Sequence, residues 1–379
     1  MSLYQSPRLL SLRRMNIVDQ VPEYIRTLTP YEAGKPMEEI EREYGIEGSV
    51  KLASNENPLG PSPLAVKALQ KRLHQLHLYP DGDCFYLKRG LAVKLGAAPE
   101  RLIFGNGSNE LIELAVRTFM RPGDEAVMAH QAFVIYRLVA QAAGGSCSIV
   151  PLKGFTHDLA AMARAISPRT RIVFLANPNN PTGTIYRRGE WEGFLRHITP
   201  EILVIVDEAY FEYATDRDYP DSLAYHGEGR ALLTLRTFSK LYGLAGLRIG
   251  YGIGGEKVID LMHRMRQPFN VNAAAQWAAL AALGDQEHVK RSLEVNREGM
   301  DYLRGEIAGL GLEQLPSQAN FILIRVGDGQ GTFHRLLRRG VIVRPMAAYD
   351  LPEYIRVTIG TPKENSRFVN ELKAIIKDH

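Results

Sequence analysis

From Leu102 to about residue 265 the chain alternates short apolar runs with segments whose apolar residues recur at three-and-four spacing, the pattern of strands alternating with amphipathic helices. Leu102–Phe104 reads as a strand and 105–110 as a turn. Leu111, Leu114, Ala115, Thr118 and Phe119 then mark one face of a helix. The order repeats with Ala126–Ala129 ahead of a helix opened by Phe133 and Tyr136, and with the runs Arg171–Ala176, Ile202–Val206 and Leu232–Arg236. Unbroken apolarity in Ile202–Val206 predicts a strand covered by helices on both faces, because a strand with one wet face would alternate. The alternation as a whole predicts an α/β fold, a three-layer large domain with a mostly parallel sheet.

The flanks read differently. Met37, Ile40 and Tyr44 predict a helix over 36–44, and another follows over about 63–75. Between them Lys51–Pro61 crowds Asn, Pro and Gly too densely for regular structure, and Leu78–Gly82 is a turn with Tyr79 near its start. Beyond a long helical region from about 255 to 309, short strands at Asn320–Arg325, Val341–Pro345 and Ile355–Ile359 alternate with helices at about 330–339 and 362–377, a smaller α+β domain. The expected organisation is an N-terminal arm (1–50) packing with the small domain, a large domain (51–265) and a C-terminal small domain (266–379).

Composition narrows the function. The chain has 379 residues, 45% apolar and 23% charged, ordinary for a globular protein, and its longest wholly apolar central run, Ile202–Val206, is five residues. A bilayer span needs about 20. A net charge of +4 with dispersed Lys and Arg gives no nucleic-acid stripe and suits a small anionic ligand. Cys84 and Cys147 lie far apart without metal-type spacing, so neither a metal site nor a disulfide framework is expected, and a cytoplasmic location is the default. The first eighteen residues hold Arg8, Arg13 and Arg14 and no acid, compatible with a transit peptide or with an unremarkable arm.

Candidate chemistry gathers where the predicted strands end. Asn180, Asp207 and Lys240 each follow a strand's carboxyl end, where open α/β sheets bind ligands. Each alone has an ordinary reading as a turn residue, a helix cap or a solvated lysine. Together they are complementary: a lysine able to form a Schiff base with a carbonyl cofactor, an acid able to keep a pyridine nitrogen protonated, and donors for a ring oxygen in Asn180 and Tyr210. Thr237, Ser239 and Arg248 around the lysine can hold a phosphate. Ser108 and Asn109 stand at a helix N-terminus whose free N–H groups suit the same anion, although Ser108 alone reads equally as an N-cap. Pyridoxal 5'-phosphate satisfies all of these requirements, and a displaced Lys240 is then a base placed to move a proton.

The motifs carrying this set are Asn-Pro-Asn-Asn-Pro-Thr-Gly from Asn177, Val-Asp-Glu-Ala-Tyr from Val206, and Thr-Phe-Ser-Lys, five residues, then Gly-Leu-Arg-Ile-Gly from Thr237. In order and spacing the chain resembles the fold-type I pyridoxal-phosphate aminotransferases. Pro30-Tyr31, Ser54–Pro58, Tyr79–Asp81, Ala319–Phe321, Val343–Pro345 and Ile355–Gly360 make it most similar to the histidinol-phosphate aminotransferases among them. The resemblance implies that Lys240 is the Schiff-base lysine and that Asp207, Asn180, Tyr210, Ser108, Asn109, Thr237, Ser239 and Arg248 contact the cofactor, with Phe133 stacking on its ring. It implies a homodimer with shared active sites, in which Tyr79 reaches the neighbouring subunit's cofactor phosphate. It further implies that Arg356 grips the glutamate carboxylate and that Arg344 and Tyr31 lie near the phosphate of the substrate. The chain departs from many relatives at Gln131-Ala132, just before Phe133, and His130 is expected to be structural. The implied reaction moves an amino group between L-histidinol phosphate and 2-oxoglutarate. Transamination of aromatic amino acids and decarboxylation of threonine phosphate remain open on the same scaffold, while a cofactor-binding regulator without catalysis is disfavoured, because the sequence shows no appended DNA-binding module and keeps the proton-shuttling lysine.

Overall fold

The computed structural model describes residues 16–30, 37–227 and 229–377. A helix Met37–Tyr44 (α1) and the two-residue strand Val50–Lys51 (β1) precede helices Pro63–Arg72 (α2) and Phe85–Leu95 (α3). Ser62 caps α2, its hydroxyl accepting from the Ala65 amide with Pro63 in the first turn, which is why the helix begins where the Asn/Pro/Gly-dense segment ends.

Seven strands form the large sheet: Leu102–Gly105 (β2), Glu125–Ala129 (β3), Ser146–Val150 (β4), Thr170–Ala176 (β5), Leu203–Asp207 (β6), Ala231–Thr237 (β7) and Gly250–Gly254 (β8). Their order across the sheet is β2-β8-β7-β6-β5-β3-β4. All neighbours from β7 to β4 are parallel, and β8 runs antiparallel between β7 and β2. The sheet is thus mostly parallel, as the sequence predicts. Side chains alternate between two cores: Ile172, Phe174 and Ile205 face Leu111, Ala115 and Tyr136, while Val173, Leu175, Val204 and Val206 face Trp191, Phe194 and Tyr186. Helices Gly107–Phe119 (α4), Ile135–Ala142 (α5) and Glu256–Met265 (α8) contribute to the first core, and Leu159–Arg164 (α6) and Arg188–Leu195 (α7) to the second. That is the three-layer arrangement.

Two strands escape the sequence pattern for physical reasons. β4 is an edge strand with Ser146 and Ile149 exposed, so it carries no buried run. β8 is Gly-Tyr-Gly-Ile-Gly, and a Cβ at Gly250 would lie 2.6 Å from the Ser108 nitrogen and 2.7 Å from the Gly107 carbonyl carbon. Glycine there lets the first turn of α4 rest on the sheet.

Helix Ala273–Gly284 (α9) packs on α2 and α3, so chain beyond residue 265 contributes to the same core as Leu87, Leu91 and Phe238. The long helix Gln286–Gly309 (α10) leads to the second unit, where Phe321–Arg325 (β9), Arg344–Pro345 (β11) and Tyr354–Thr358 (β12) form an antiparallel sheet in the order β11-β12-β9. Helix Gly329–Arg338 (α11) and strand Val341–Ile342 (β10) lie between β9 and β11, β10 pairs with β1, and Pro362–Lys377 (α12) covers the core formed with Met300, Leu303 and Ile307. The N-terminal segments divide: Tyr24 and Thr27 accept hydrogen bonds from Gln141 of α5, whereas Met37 packs with Leu337 and Ile342 of the second unit.

Candidate active site

Parallel strands in register deliver their last residues to one level. Ala176 of β5 stands opposite Asp207 of β6, which stands opposite Leu235 of β7. The ladder runs one step further, with the Asn177 amide donating to the Asp207 carbonyl and the Glu208 amide to the Leu235 carbonyl. Glu208 turns away into a fully buried ion pair with Arg236, Oε2 to Nη2 2.7 Å, which ties the ends of β6 and β7 together. Beyond β5, Asn179 braces the turn, its Nδ2 donating to the Gln131 carbonyl and to Thr182 Oγ1 while its Oδ1 lies 3.0 Å from His157 Nε2.

A cleft above these strand ends is lined by Lys240, Asp207, Tyr210, Asn180, Phe133, Ser108, Asn109, Thr237, Ser239 and Arg248, and by Arg344 and Arg356 from the second unit. Nearly every predicted site residue is therefore brought to one place. Tyr79 is not: it is 85% exposed, lies outside this cleft, and stacks on Phe269 with centroids 5.1 Å apart. Tyr31 falls outside the described residues.

Asp207 is buried, and burial pushes its carboxyl above the usual range. Three groups oppose that rise: the Tyr136 hydroxyl donating to Oδ2 at 2.8 Å, the Ala209 amide donating to Oδ1 at 3.1 Å, and the nearby Lys240. The Lys240 amine is pushed down to about 8, chiefly by burial and then by the Arg356 charge. Its Nζ donates to the Ser54 carbonyl at 3.3 Å. Tyr210 is kept protonated by burial, and its hydroxyl accepts from Asn55 Nδ2 at 2.8 Å, leaving its own proton to donate.

One end of the cleft is built from helix and cation. Ser108 and Asn109 occupy the first turn of α4, where N–H groups have no intrahelical acceptor. Arg248, with left-handed backbone at φ 56°, places its guanidinium against that turn, and a Cβ at Gly107 would sit 2.7 Å from Nη2. Gly107, at φ 73°, is thus required both by conformation and by space. Thr237 and Ser239 are buried beside it, the Ser239 amide donating to Thr237 Oγ1.

On the opposite wall Arg344 and Arg356 are cross-strand partners of β11 and β12. Arg356 donates to Asn180 Oδ1 and, at 3.0 Å, to the Ala53 carbonyl, with its guanidinium 5.1 Å from the Phe321 ring centroid. With the Asn180 oxygen engaged, its amide nitrogen is the group available to a ligand. Asn55 ties the walls together, its amide accepted by Thr358 Oγ1 and its carbonyl accepting from Asn320.

Comparison with known proteins agrees with this geometry. The family described as aminotransferase class I and II matches residues 47–372. The chain belongs to the class I and II aminotransferases. It is 51% identical over 361 residues to the histidinol-phosphate aminotransferase of Moorella thermoacetica, covering 95% of this chain and 94% of that one. It is 48% identical to that of Methylobacillus flagellatus, covering 95% and 98%. A solved histidinol-phosphate aminotransferase from Sinorhizobium meliloti in complex with pyridoxal 5'-phosphate superposes with a TM-score of 0.87 at 26% identity, over 94% of this chain and 97% of that one.

Pyridoxal phosphate is the cofactor of this aminotransferase, and the cleft fits it on chemical grounds. A buried acid, a deprotonatable amine, hydroxyl and amide donors, and an arginine on a helix N-terminus are the set it needs. Sequence reasoning assigned no role to Tyr136, Asn55, Ser54 or Tyr349, all of which line the cleft. Tyr136 lies in the first turn of α5, which begins at Ile135, so Phe133 precedes the helix it was expected to open. Asn55 sits in the Asn/Pro/Gly-dense segment, but its partners Tyr210 and Thr358 are 155 and 303 residues away.

Proposed function

We infer that this aminotransferase moves an amino group between L-histidinol phosphate and 2-oxoglutarate, giving imidazole-acetol phosphate and L-glutamate, a step of histidine biosynthesis. The substrate pair follows from similarity to the histidinol-phosphate aminotransferases. What carries the reaction class is the convergence in one cleft of a lysine with depressed basicity, a buried aspartate and two arginines.

Pyridoxal phosphate, when bound, supplies an aldehyde for amine capture and a protonated ring that accepts the electron pair left when the amine-bearing carbon loses its proton. The protein's part is assigned as follows. Lys240 Nζ holds the cofactor at rest and, once released, takes the proton from the substrate carbon; an amine near 8 has a substantial neutral fraction at physiological pH. Asp207, fixed by Tyr136 and the Ala209 amide, would be the counter-charge to the ring nitrogen. Asn180 Nδ2 and the Tyr210 hydroxyl would donate to the ring oxygen, and Phe133 would pack against the ring. Ser108, Asn109, Thr237, Ser239 and Arg248 bind the phosphate. Arg356 binds the glutamate carboxylate with a guanidinium fork, and Arg344, together with Tyr31, binds the phosphate of histidinol phosphate. The chain acts as a homodimer with shared sites. The exposure of Tyr79 supports its reaching the partner's cofactor phosphate. Cytoplasmic residence is supported by Cys84 and Cys147, both free; among the described residues no helix is long and apolar enough to cross a membrane.

The test is a half-reaction on the purified, cofactor-loaded protein, offered histidinol phosphate, phenylalanine or threonine phosphate, with cofactor absorbance and products followed. Fastest conversion with histidinol phosphate, and L-glutamate on adding back 2-oxoglutarate, is expected. Lys240→Ala should be folded and inactive. Preference for phenylalanine would move the enzyme to aromatic substrates, and carbon dioxide from threonine phosphate would replace the reaction class.

A further inference from the structure

His130 does more than pack. It follows β3 directly, three residues before Phe133, and its Nε2 lies 2.9 Å from the Asp350 carboxylate of the second unit. Asp350 ends the turn Ala347–Tyr349 in left-handed conformation, φ 56° and ψ 34°, where glycine would be less constrained. That conformation carries an aspartate whose carboxylate meets His130. The residue before it, Tyr349, lines the cleft. The turn is rooted through Met346, fully buried, whose carbonyl accepts from the Tyr349 and Leu351 amides. It connects β11, which bears Arg344, to β12, which bears Arg356. On the other side, the backbone of His130 is anchored by donating to the Val150 carbonyl, and the next carbonyl, of Gln131, holds Asn179. A ring contact between Phe155 of the large unit and Tyr354 of the second, at 5.7 Å, also spans the two units.

We propose that the His130–Asp350 pair is a clasp across the rim of the cleft, holding the Tyr349 turn and the arginine-bearing strands β11 and β12 against the large unit. His130 and Asp350 are positioning residues: they set substrate affinity and take no part in proton transfer. The proposal rests on the reading of this cleft as the substrate site. Because the two side chains are 43% and 74% exposed, the effect is modest and falls on binding.

The experiment uses the cofactor-loaded enzyme with His130→Ala, Asp350→Ala and the double variant, each of which removes a partner of the contact. Each single change is expected to raise KM for histidinol phosphate and for 2-oxoglutarate by about two- to fivefold, the range for one exposed hydrogen-bonded pair, while kcat holds. The double variant should be no worse than either single one, because both remove the same interaction. Hydrogen exchange at the Met346–Leu351 amides reads the clasp without turnover, and faster exchange is expected in all three variants. Unchanged exchange, unchanged KM in either single variant, or effects that multiply in the double variant overturn the clasp. A wild-type enzyme that ignores histidinol phosphate, with exchange still accelerated in the variants, overturns the substrate assignment and leaves the clasp standing.

Discussion

Replacing Tyr136 by phenylalanine removes one hydroxyl from the floor of the cleft. The ring contacts survive the change: Tyr136 is stacked on Phe174 at 4.7 Å and meets Phe133 edge-on at 5.7 Å. The donor to Asp207 Oδ2 does not survive, and the carboxyl keeps only the Ala209 amide on its other oxygen. Burial already raises the Asp207 carboxyl and the Tyr136 bond opposes that rise, so its loss raises it further. A hydrogen bond to a charged group contributes about 1.5–3 kcal/mol, so the half-reaction rate constant at pH 7 should fall by about 10- to 150-fold. The sign of the pH dependence follows. An acid with a raised pKa is ionised only at higher pH, so the deficit relative to wild type should shrink as pH increases. Stopped-flow absorbance of the cofactor with histidinol phosphate, repeated across pH, measures both quantities. A variant within twofold of wild type at every pH would refute the argument that Tyr136 holds Asp207 ionised.

Two further outcomes follow from the same cleft. The Lys240 amine, pushed down to about 8, must be neutral to capture an aldehyde, so uptake of pyridoxal phosphate by cofactor-free protein should accelerate with rising pH and level off above about 8; a rate still climbing toward 10.5 would contradict the depressed basicity. Arg356→Ala should weaken glutamate use by about 2–5 kcal/mol in kcat/KM, the scale for unpairing a buried charged contact. The same variant should shift the uptake midpoint upward, because the Arg356 charge is the second cause of the lowered Lys240 value. Steady-state kinetics with glutamate check the first effect, and unchanged values would move the carboxylate site elsewhere.

The division between what was legible in the sequence and what was not has a physical origin in where each constraint is local. Asn180, Asp207 and Lys240 could be read because a parallel sheet converts strand order into spatial proximity: once three buried runs are recognised, their ends must gather at one edge. The alternation of Val173 and Leu175 against Ile172 and Phe174 is likewise written within a single strand. β8 was hidden because Gly250 answers to Ser108 and Gly107, more than a hundred residues earlier, and not to strand propensity. Asn55 and His130 were hidden for the same reason at the level of side chains, since their meaning lies in Tyr210, Thr358 and Asp350, contributed by other strands or by the second unit. Asn180, Asp207 and Lys240 thus follow the ends of strands in one sheet and are legible from its periodicity. Those that join the two walls depend on how the units meet, and that contact is specified by pairs with no common period. Substitution at His130 or Asp350 should therefore alter how Arg344 and Arg356 are presented before it alters the strand ends that carry Asp207 and Lys240.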